Sequence, residues 1–283
     1  MSVIHVLNAI YNIIAGRYFS LQDKAVGSNR INRVGEGFEV FVRRALANDF
    51  ESANEVELTA KTQHLFSYAS SNSSPPDLMI RGGDAIEIKK FEAVPSTIQL
   101  NSSYPKAFLY SDYPLLSQEC RHCEVWTRKD LVYILAVIKK GQIQEIWLVD
   151  GACYAAERDV YEAVFARVKD SVHLTQDLRV LDSELGRIID IDPLKRTQLR
   201  IRGMWLIQHP RMTFGHLFNP SKQTAFSIKA IMRQTKYADL ISPNLETELT
   251  RLGCRMTNAT VLDPNNRAKV MAVKTIQFEA SYA

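Results

Sequence analysis

Residues 76–90 read Pro-Asp-Leu-Met-Ile-Arg-Gly-Gly-Asp-Ala-Ile-Glu-Ile-Lys-Lys, and the fold class is predicted from this segment. Two short apolar runs flank Gly82-Gly83, which predicts two strands joined by a turn. Because side chains alternate along a strand, the two isoleucines of Ile86-Glu87-Ile88-Lys89 face a core, and its Glu and Lys share the opposite face. Charged side chains are rarely found on an otherwise apolar strand, so Glu87 and Lys89 on one face indicate a functional site.

Asp77 begins the first of these strands and can lie beside Glu87 and Lys89. Two carboxylates and a lysine in this pattern suit metal-assisted hydrolysis of phosphodiesters, in which Asp77 and Glu87 hold Mg²⁺. Lys89 then orients the attacking water and adds positive charge near the scissile phosphate. The alternative is an ordinary surface hairpin whose Glu87 and Lys89 face water, since the pattern is loose by itself.

The turn between the two strands must have an odd length for this chemistry. A two-residue loop, Gly82-Gly83, would put Asp77 on the core face, because a one-residue slip exchanges the two faces of a strand. We therefore expect a three-residue loop, Gly82-Gly83-Asp84, with Arg81 paired to Ala85, or a bulge, or pairing that begins after Asp77. Either glycine can supply the positive φ that such loops commonly need.

The composition is that of a folded protein. Of 283 residues, 46% are apolar and 23% are charged, with a net charge of +4, which excludes a disordered chain, a collagen-like fibre and a disulfide-stapled miniprotein. The longest apolar run, Leu131 to Ile138, is too short for a membrane span, and the N-terminus lacks the basic segment of a signal peptide. Four cysteines imply no disulfide framework, so we expect a cytoplasmic protein.

The chain is expected to form mixed α/β structure. Apolar spacing predicts amphipathic helices at the N-terminus and around Val34 to Leu46, a β-hairpin over Leu131 to Val149, and a strand over Leu199 to Ile207. No repeat or linker divides the chain. We therefore expect a single domain over residues 1–283, with a catalytic core at about 30–150 and a basic DNA-contacting region at about 193–237.

The segment from Pro193 to Tyr237 has an unusual charge. Its 45 residues contain no Asp or Glu and nine basic residues: Lys195, Arg196, Arg200, Arg202, Arg211, Lys222, Lys229, Arg233 and Lys236. In a chain that is otherwise acidic on balance, this favours a surface for nucleic acid over a solvated face whose counter-charges lie elsewhere. Arg200 and Arg202 would project from one face of the expected strand toward phosphates or guanine edges, and Lys195 is a further DNA-contacting candidate.

Three polar residues outside this segment are weaker candidates for DNA contacts. Arg30 precedes the second helix and can reach a phosphate. Asn101 and Ser103 lie in a polar loop and can donate hydrogen bonds to phosphates or bases. The alternative is that such loop residues only cap helices or form turns.

A set of specific strings runs along most of the chain: Ser28-Asn29-Arg30, Leu100-Asn101-Ser102-Ser103, Ile191-Asp192-Pro193-Leu194, Arg202-Gly203-Met204-Trp205 and Pro264-Asn265-Asn266. Together with Asp77 and Glu87-Ile88-Lys89, the chain resembles the NgoPII-type type II restriction endonucleases of the PD-(D/E)XK nuclease superfamily. The resemblance implies an α/β fold with a mixed β-sheet flanked by helices and a basic C-terminal DNA-binding region. It also implies an Mg²⁺-dependent homodimer that cuts double-stranded DNA at a short, G/C-rich palindrome and leaves 5′-phosphate ends.

The same resemblance implies a further carboxylate from the helix that precedes the hairpin. Glu36 and Glu39 are the choices in Gly35-Glu36-Gly37-Phe38-Glu39. Glu39 borders the buried stripe of this helix, whereas Glu36 is expected to face solvent. We assign Glu39 as an accessory metal-binding or water-positioning residue; an ordinary carboxylate on the helix surface is the alternative.

The leading interpretation is a sequence-specific DNA endonuclease. A structure-specific repair or recombination nuclease with the same fold is the closer alternative, and a DNA-binding protein without catalysis is the other. The chain has no G-x-x-x-x-G-K-[ST] phosphate loop and no G-x-S-x-G elbow. Neither a nucleotide cofactor nor serine-hydrolase chemistry is therefore expected.

Overall fold

The computed structural model describes residues 4–21, 30–70, 75–100, 102–173, 178–179, 185–188, 193–194, 196, 199–219 and 224–281. The helices are α1 Val6–Ala15, α2 Arg30–Ala47, α3 Glu55–Thr62, α4 Gln118–His122, α5 Gly151–Tyr154, α6 Arg158–His173, α7 Pro210–Phe214, α8 Gln234–Leu240 and α9 Pro243–Arg251, with a 3₁₀ turn at Gly215–Leu217. The strands are β1 Phe66–Ala69, β2 Leu78–Ile80, β3 Ala85–Phe91, β4 Thr97–Gln99, β5 Phe108–Tyr110, β6 Arg128–Lys139, β7 Gln142–Asp150, β8 Leu178–Arg179, β9 Gly186–Ile188, β10 Leu199–Ile201, β11 Leu206–Gln208, β12 Thr224–Arg233, β13 Arg255–Asp263 and β14 Asn266–Ser281.

A mixed β-sheet forms the centre of the protein. Its strands follow the order β1-β2-β3-β6-β7-β12-β14-β13, and β5 pairs with the start of β6. The pairs β3–β6 and β7–β12 are parallel, whereas the other neighbours in this order are antiparallel. Two smaller sheets consist of β8-β9-β10 and β4-β11. The expected mixed α/β class is confirmed, as is the predicted hairpin, which is β6–β7.

Apolar side chains cover both faces of the central sheet. On one face, Ile86 and Ile88 share a core with residues of α1, α2 and α9. On the other face, Tyr133 and Trp147 pack against the segment between β4 and α4 and against α7. All side chains of residues 131–138 are buried, which explains their continuous apolar sequence. Within the described residues, no helix has the length and apolar character needed to cross a bilayer.

The β2–β3 hairpin has an odd-length turn. Leu78 pairs with Ile86, and the Ile80 N–H donates to the Asp84 carbonyl 2.9 Å away, so the turn consists of Arg81-Gly82-Gly83. Gly82 supplies the positive φ, at 66°. The turn has three residues, as expected, but it lies one residue earlier than the expected loop. The predicted pairing of Arg81 with Ala85 is therefore wrong. The odd length of the turn nevertheless keeps Asp77 on the same face of the sheet as Glu87, as metal binding by both carboxylates requires.

The single strand expected over Leu199 to Ile207 is wrong. The structure divides this stretch into β10, which pairs with β9, and β11, which pairs with β4 in another sheet. The chain leaves regular pairing at residues 202–205, where the Trp205 carbonyl accepts a hydrogen bond from the Leu100 N–H over 2.9 Å. Arg200 lies on β10, whereas Arg202 lies between β10 and β11 and belongs to neither strand.

Part of the basic charge of residues 193–237 lies inside the protein. Lys229, on β12, is 6% exposed, and its Nζ donates to Oε1 of Glu145 on β7. Arg211, on α7, donates to the other oxygen of Glu145 over 2.5 Å. The acid-free segment therefore takes a counter-charge from a strand that precedes it by many residues.

Arg233 and Lys236 continue this pattern at the end of β12 and the start of α8. Arg233 donates to Asp150 over 2.7 Å and to Asp130 over 2.6 Å. Lys236 donates to Asp84 over 2.6 Å and to Asp130 over 2.9 Å. The expectation that the whole basic segment presents its charge to a polyanion is therefore wrong for Lys229, Arg233 and Lys236, because carboxylates pair with these three inside the protein. Arg211 shares Glu145 with Lys229, and its side chain remains 47% exposed.

We expect Lys236→Met to lower the free energy of unfolding by about 3–5 kcal/mol, because it leaves the buried Asp84 carboxylate without its cation. Urea denaturation at pH 7 measures this change. Lys61→Met is the matched control, since Lys61 pairs with Glu57 on the surface of α3, where solvent screens the pair, and this variant should change the free energy of unfolding little. Equal losses in the two variants would contradict a stabilising role of the buried pair.

Candidate active site

Asp77, Glu87 and Lys89 come together at the β2–β3 hairpin. The Lys89 Nζ donates to Glu87 Oε1 over 2.6 Å and lies 3.9 Å from Asp77 Oδ2. The Ile88 N–H donates to the same Asp77 oxygen over 2.5 Å, which holds this carboxylate against β3. One ammonium group thus contacts two carboxylates that are ten residues apart in the chain.

The alternation along β3 explains this arrangement. Ile86 and Ile88 are 0% and 6% exposed in the core shared with α2. The side chains of Glu87 and Lys89 lie on the opposite face and remain 16% and 29% exposed. Asp77 immediately precedes β2 and reaches the same side of the sheet, because the turn between the two strands has an odd length.

Burial and mutual charge determine the protonation of this cluster. Burial, and then the charge of Glu87, raises the pKa of Asp77 to about 7 against the opposing effects of Lys89 and the Ile88 hydrogen bond. Burial by itself lowers the pKa of Lys89, but Glu87 and Asp77 favour its ammonium form, so its pKa is raised overall. Once Asp77 ionises, two carboxylates face one ammonium, and this excess negative charge favours a bound cation.

Glu39 of α2 belongs to the same electrostatic environment. Its charge acts to raise the pKa of both Asp77 and Lys89. The Glu39 side chain is exposed, while its neighbour Phe38 is 1% exposed and anchors α2 in the core. The side chain of Glu36, the other choice from the sequence, lies outside the described part of the chain. Glu39 therefore adds negative charge beside the cluster.

The oxygen donors of this cluster fit a divalent metal ion such as Mg²⁺. Asp77 and Glu87 supply two carboxylates, and Mg²⁺ is commonly held by one or two carboxylates while it keeps several waters. Across the described residues, no group of three or more His, Cys, Asp or Glu side chains is arranged to hold a metal. Two carboxylates match the number that commonly holds Mg²⁺ together with its waters, and they are fewer than the four ligands of a closed structural zinc site.

Lys106 also belongs to the region of the site, although no sequence motif marks it. Tyr133 pairs with Glu87 across β3 and β6. The Tyr133 hydroxyl accepts a hydrogen bond from the Lys106 N–H over 2.8 Å and donates to the Lys106 carbonyl over 3.2 Å. These bonds place Lys106 above the strand position next to Glu87. A single lysine after Pro105 carries no sequence signal for this position, because only the fold brings it over β6.

The ammonium group of Lys106 is enclosed by polar atoms and aromatic rings. Lys106 is 5% exposed, and its Nζ donates to Ser103 Oγ and to the Tyr104 carbonyl. The rings of Tyr104 and Tyr113 lie 5.0 and 4.3 Å from this nitrogen. Burial lowers the pKa of Lys106 to about 8, with Glu87 opposing and Lys89 adding to this shift. The region around Glu87 thus contains a second buried cation.

The residues that we expected to contact DNA lie in different parts of the structure, and only some of them are described. Ser103 lies beside Lys106. Arg202 is exposed in the segment between β10 and β11. Arg200 lies on β10 and Arg30 begins α2, but their side chains are not among those described. The remaining two candidates, Lys195 and Asn101, lie outside the described residues.

In EDTA, we expect Asp77→Asn to raise the melting temperature at pH 8 and to change it little at pH 4.5. The folded-state pKa of Asp77 is about 7, above the value of about 3.9 in an unfolded chain, so the wild type loses stability as pH rises through this window. Thermal unfolding at both pH values measures the difference, and Asp239→Asn, on the exposed side of α8, is the control. A shift for Asp77→Asn that does not grow with pH would contradict this assignment.

Comparison with known proteins places the chain in a family. The family model described as NgoPII restriction endonuclease matches residues 4–262. The chain is 31% identical over 276 residues to the type II restriction enzyme NgoPII of Neisseria gonorrhoeae. This alignment covers 97% of the chain and 99% of that enzyme. No solved structure matches the chain significantly. From the extent of these two matches, the chain belongs to the NgoPII restriction endonuclease family.

Proposed function

We propose that the protein is a type II restriction endonuclease that hydrolyses phosphodiester bonds in both strands of double-stranded DNA. The observation that carries the proposal is the Asp77–Glu87–Lys89 cluster, in a chain that belongs to this family over nearly its whole length. A mixed sheet that bears two carboxylates and a lysine on a hairpin supports a PD-(D/E)XK nuclease core. The proposed target is a short, G/C-rich palindrome, and the proposed products carry 5′-phosphate ends.

The geometry gives each residue of the cluster a role in this hydrolysis. Asp77 and Glu87 would hold Mg²⁺, which when bound acidifies a coordinated water and stabilises negative charge on the phosphate. The Lys89 Nζ, already directed at both carboxylates, orients the water and adds positive charge beside the scissile phosphate. Glu39, at the border of the site, helps to position water. Attack of the water oxygen on phosphorus forms the new P–O bond of the 5′-phosphate and breaks the bond to the 3′ oxygen. The attacking water loses one proton to solvent, and the 3′ oxygen takes up one proton.

The assembly that we propose follows from the symmetry of the target. A palindrome has a two-fold axis, and a homodimer presents one active site to each strand. Each copy is a single domain over residues 1–283, with its catalytic core at about 30–150. Within the basic region of 193–237, the DNA contacts fall to Lys195, Arg200 and Arg202. The four cysteines are free, which supports a reducing, cytoplasmic setting.

One experiment separates this function from its two alternatives. The protein is incubated with long duplex DNA and Mg²⁺, and in parallel with a four-way DNA junction. Discrete fragments of the duplex indicate a restriction enzyme. Cutting that requires the junction indicates a repair or recombination nuclease, and retention of DNA without cutting indicates a binding protein.

We expect Asp77→Asn, Glu87→Gln and Lys89→Met each to lower the cleavage rate at least about 100-fold, because each removes a charge that acts on the reacting phosphate. Gel assays of cleavage measure the rate, and binding in Ca²⁺ should remain. Lys90→Met is the matched control: Lys90 is adjacent in sequence but points to the other face of β3. Near-normal cleavage by Lys89→Met, or wild-type cleavage in EDTA, would contradict the assignment.

We expect Arg202→Gln to weaken DNA binding and to reduce the slope of log affinity against log salt by about 0.9, which corresponds to one lost phosphate contact. Binding titrations in Ca²⁺ over a series of salt concentrations measure this slope. Arg251→Gln is the control, since Arg251 pairs with Glu248 on α9. An unchanged affinity and slope for Arg202→Gln would remove this residue from the DNA surface.

A further inference from the structure

The hydroxyl of Ser103 has both of its acceptor positions occupied. The Lys106 Nζ donates to Ser103 Oγ, and the Tyr113 hydroxyl donates to the same oxygen over 3.3 Å. A serine hydroxyl has two lone pairs and one proton, so its remaining capacity is to donate. Among the residues that the structure describes, no acceptor for this proton is found. Ser103 is only partly buried, so its proton is available to a ligand.

The segment that carries Ser103 and Lys106 is fixed relative to Glu87. Tyr133, the strand neighbour of Glu87, holds the backbone of Lys106 through two hydrogen bonds. Gly151 closes the other side, since a Cβ there would lie 2.5 Å from the Lys106 carbonyl oxygen. The charge of Glu87 acts on the pKa of both Lys106 and Tyr113, which is consistent with their closeness to the site.

Lys106 is a buried cation without a carboxylate partner in the described part of the chain. Its three protons can be donated, and two of them reach Ser103 Oγ and the Tyr104 carbonyl, both of which are neutral groups. A buried charge that is not neutralised is costly, and an anion close to it recovers part of that cost. Lys236 and Lys229 show the contrast, because each is buried against a carboxylate.

We propose that Ser103 and Lys106 form a second phosphate-binding element of the active site. Ser103 donates its proton to a non-bridging oxygen of the DNA phosphate that faces Glu87 and Lys89. Lys106 is a positioning residue, because it orients the Ser103 hydroxyl and polarises it with its charge. This proposal rests on the nuclease function proposed above and adds to it the atom that contacts the phosphate.

The test uses a duplex that contains the target mapped from the wild-type digest, with Mg²⁺. A hydrogen bond to a charged oxygen predicts a loss of about 10- to 100-fold in kcat for Ser103→Ala. Lys106→Met should lose a similar factor, while Lys106→Arg, which keeps the charge, should lose less. Ser171→Ala on α6 and Tyr110→Phe on β5 are matched controls that should cut normally. Melting temperatures confirm that each variant is folded.

Sulfur substitution at the scissile phosphate distinguishes a contact with substrate from a structural role. One of the two stereoisomers places sulfur, a poorer acceptor, where Ser103 donates, and it should slow the wild type. Ser103→Ala should lose this particular sulfur effect and keep that of the other isomer. Normal kcat in Ser103→Ala and Lys106→Met, or a full sulfur effect for both isomers in Ser103→Ala, overturns this proposal alone. A wild-type enzyme that cuts no duplex DNA overturns the proposed function and this inference with it.

Discussion

The buried ion pair between Lys236 and Asp84 ties the turn of the catalytic hairpin to the C-terminal part of the chain. Asp84 is the first residue after the Arg81-Gly82-Gly83 turn, and Lys236 lies on α8, 152 residues away. Because the turn has an odd length, Asp77 and Glu87 lie on one side of the sheet. A slip of one residue would move Asp77 into the core and separate it from Lys89. The cluster of Asp77, Glu87 and Lys89 can therefore form only if this turn keeps its length and position.

Buried carboxylates pair with cations at two places in this protein, the end of β12 and the β2–β3 hairpin. At the end of β12, the three carboxylates of Asp84, Asp130 and Asp150 meet two cations, and each cation, Arg233 and Lys236, pairs with two of these carboxylates. Such a group holds distant segments of the chain together, because its partners come from different strands and from α8.

At the hairpin the balance differs. Asp77 and Glu87 have Lys89 as their cation, and Glu39 adds a further negative charge nearby. Burial, and then the charge of Glu87, raises the pKa of Asp77 to about 7, and a divalent ion would offset this cost of ionising Asp77. On the other side of Glu87, Lys106 is a cation that no carboxylate among the described residues contacts. We infer that metal and phosphate occupy these two environments, and that their opposite charges orient the DNA backbone over β3.

Features that depend only on neighbours in the chain could be predicted from the amino-acid sequence. Alternation along Ala85–Phe91 predicted which side chains enter the core, and Asp77 with Glu87-Ile88-Lys89 predicted the cluster, because side-chain direction in a strand follows from the backbone. Contacts between residues far apart in the chain could not be predicted in this way, because they depend on how the strands and helices pack. Leu199 to Ile207 has the composition of one strand, yet its halves pair with β9 and β4. The acid-free segment suggested an open basic surface, yet Lys229 and Lys236 are neutralised by carboxylates brought to them by the sheet. Lys106 could not be assigned to the site from the sequence, because no local pattern shows which residues are neighbours across strands. In the structure, Tyr133 on β6 lies beside Glu87 and accepts a hydrogen bond from the Lys106 N–H.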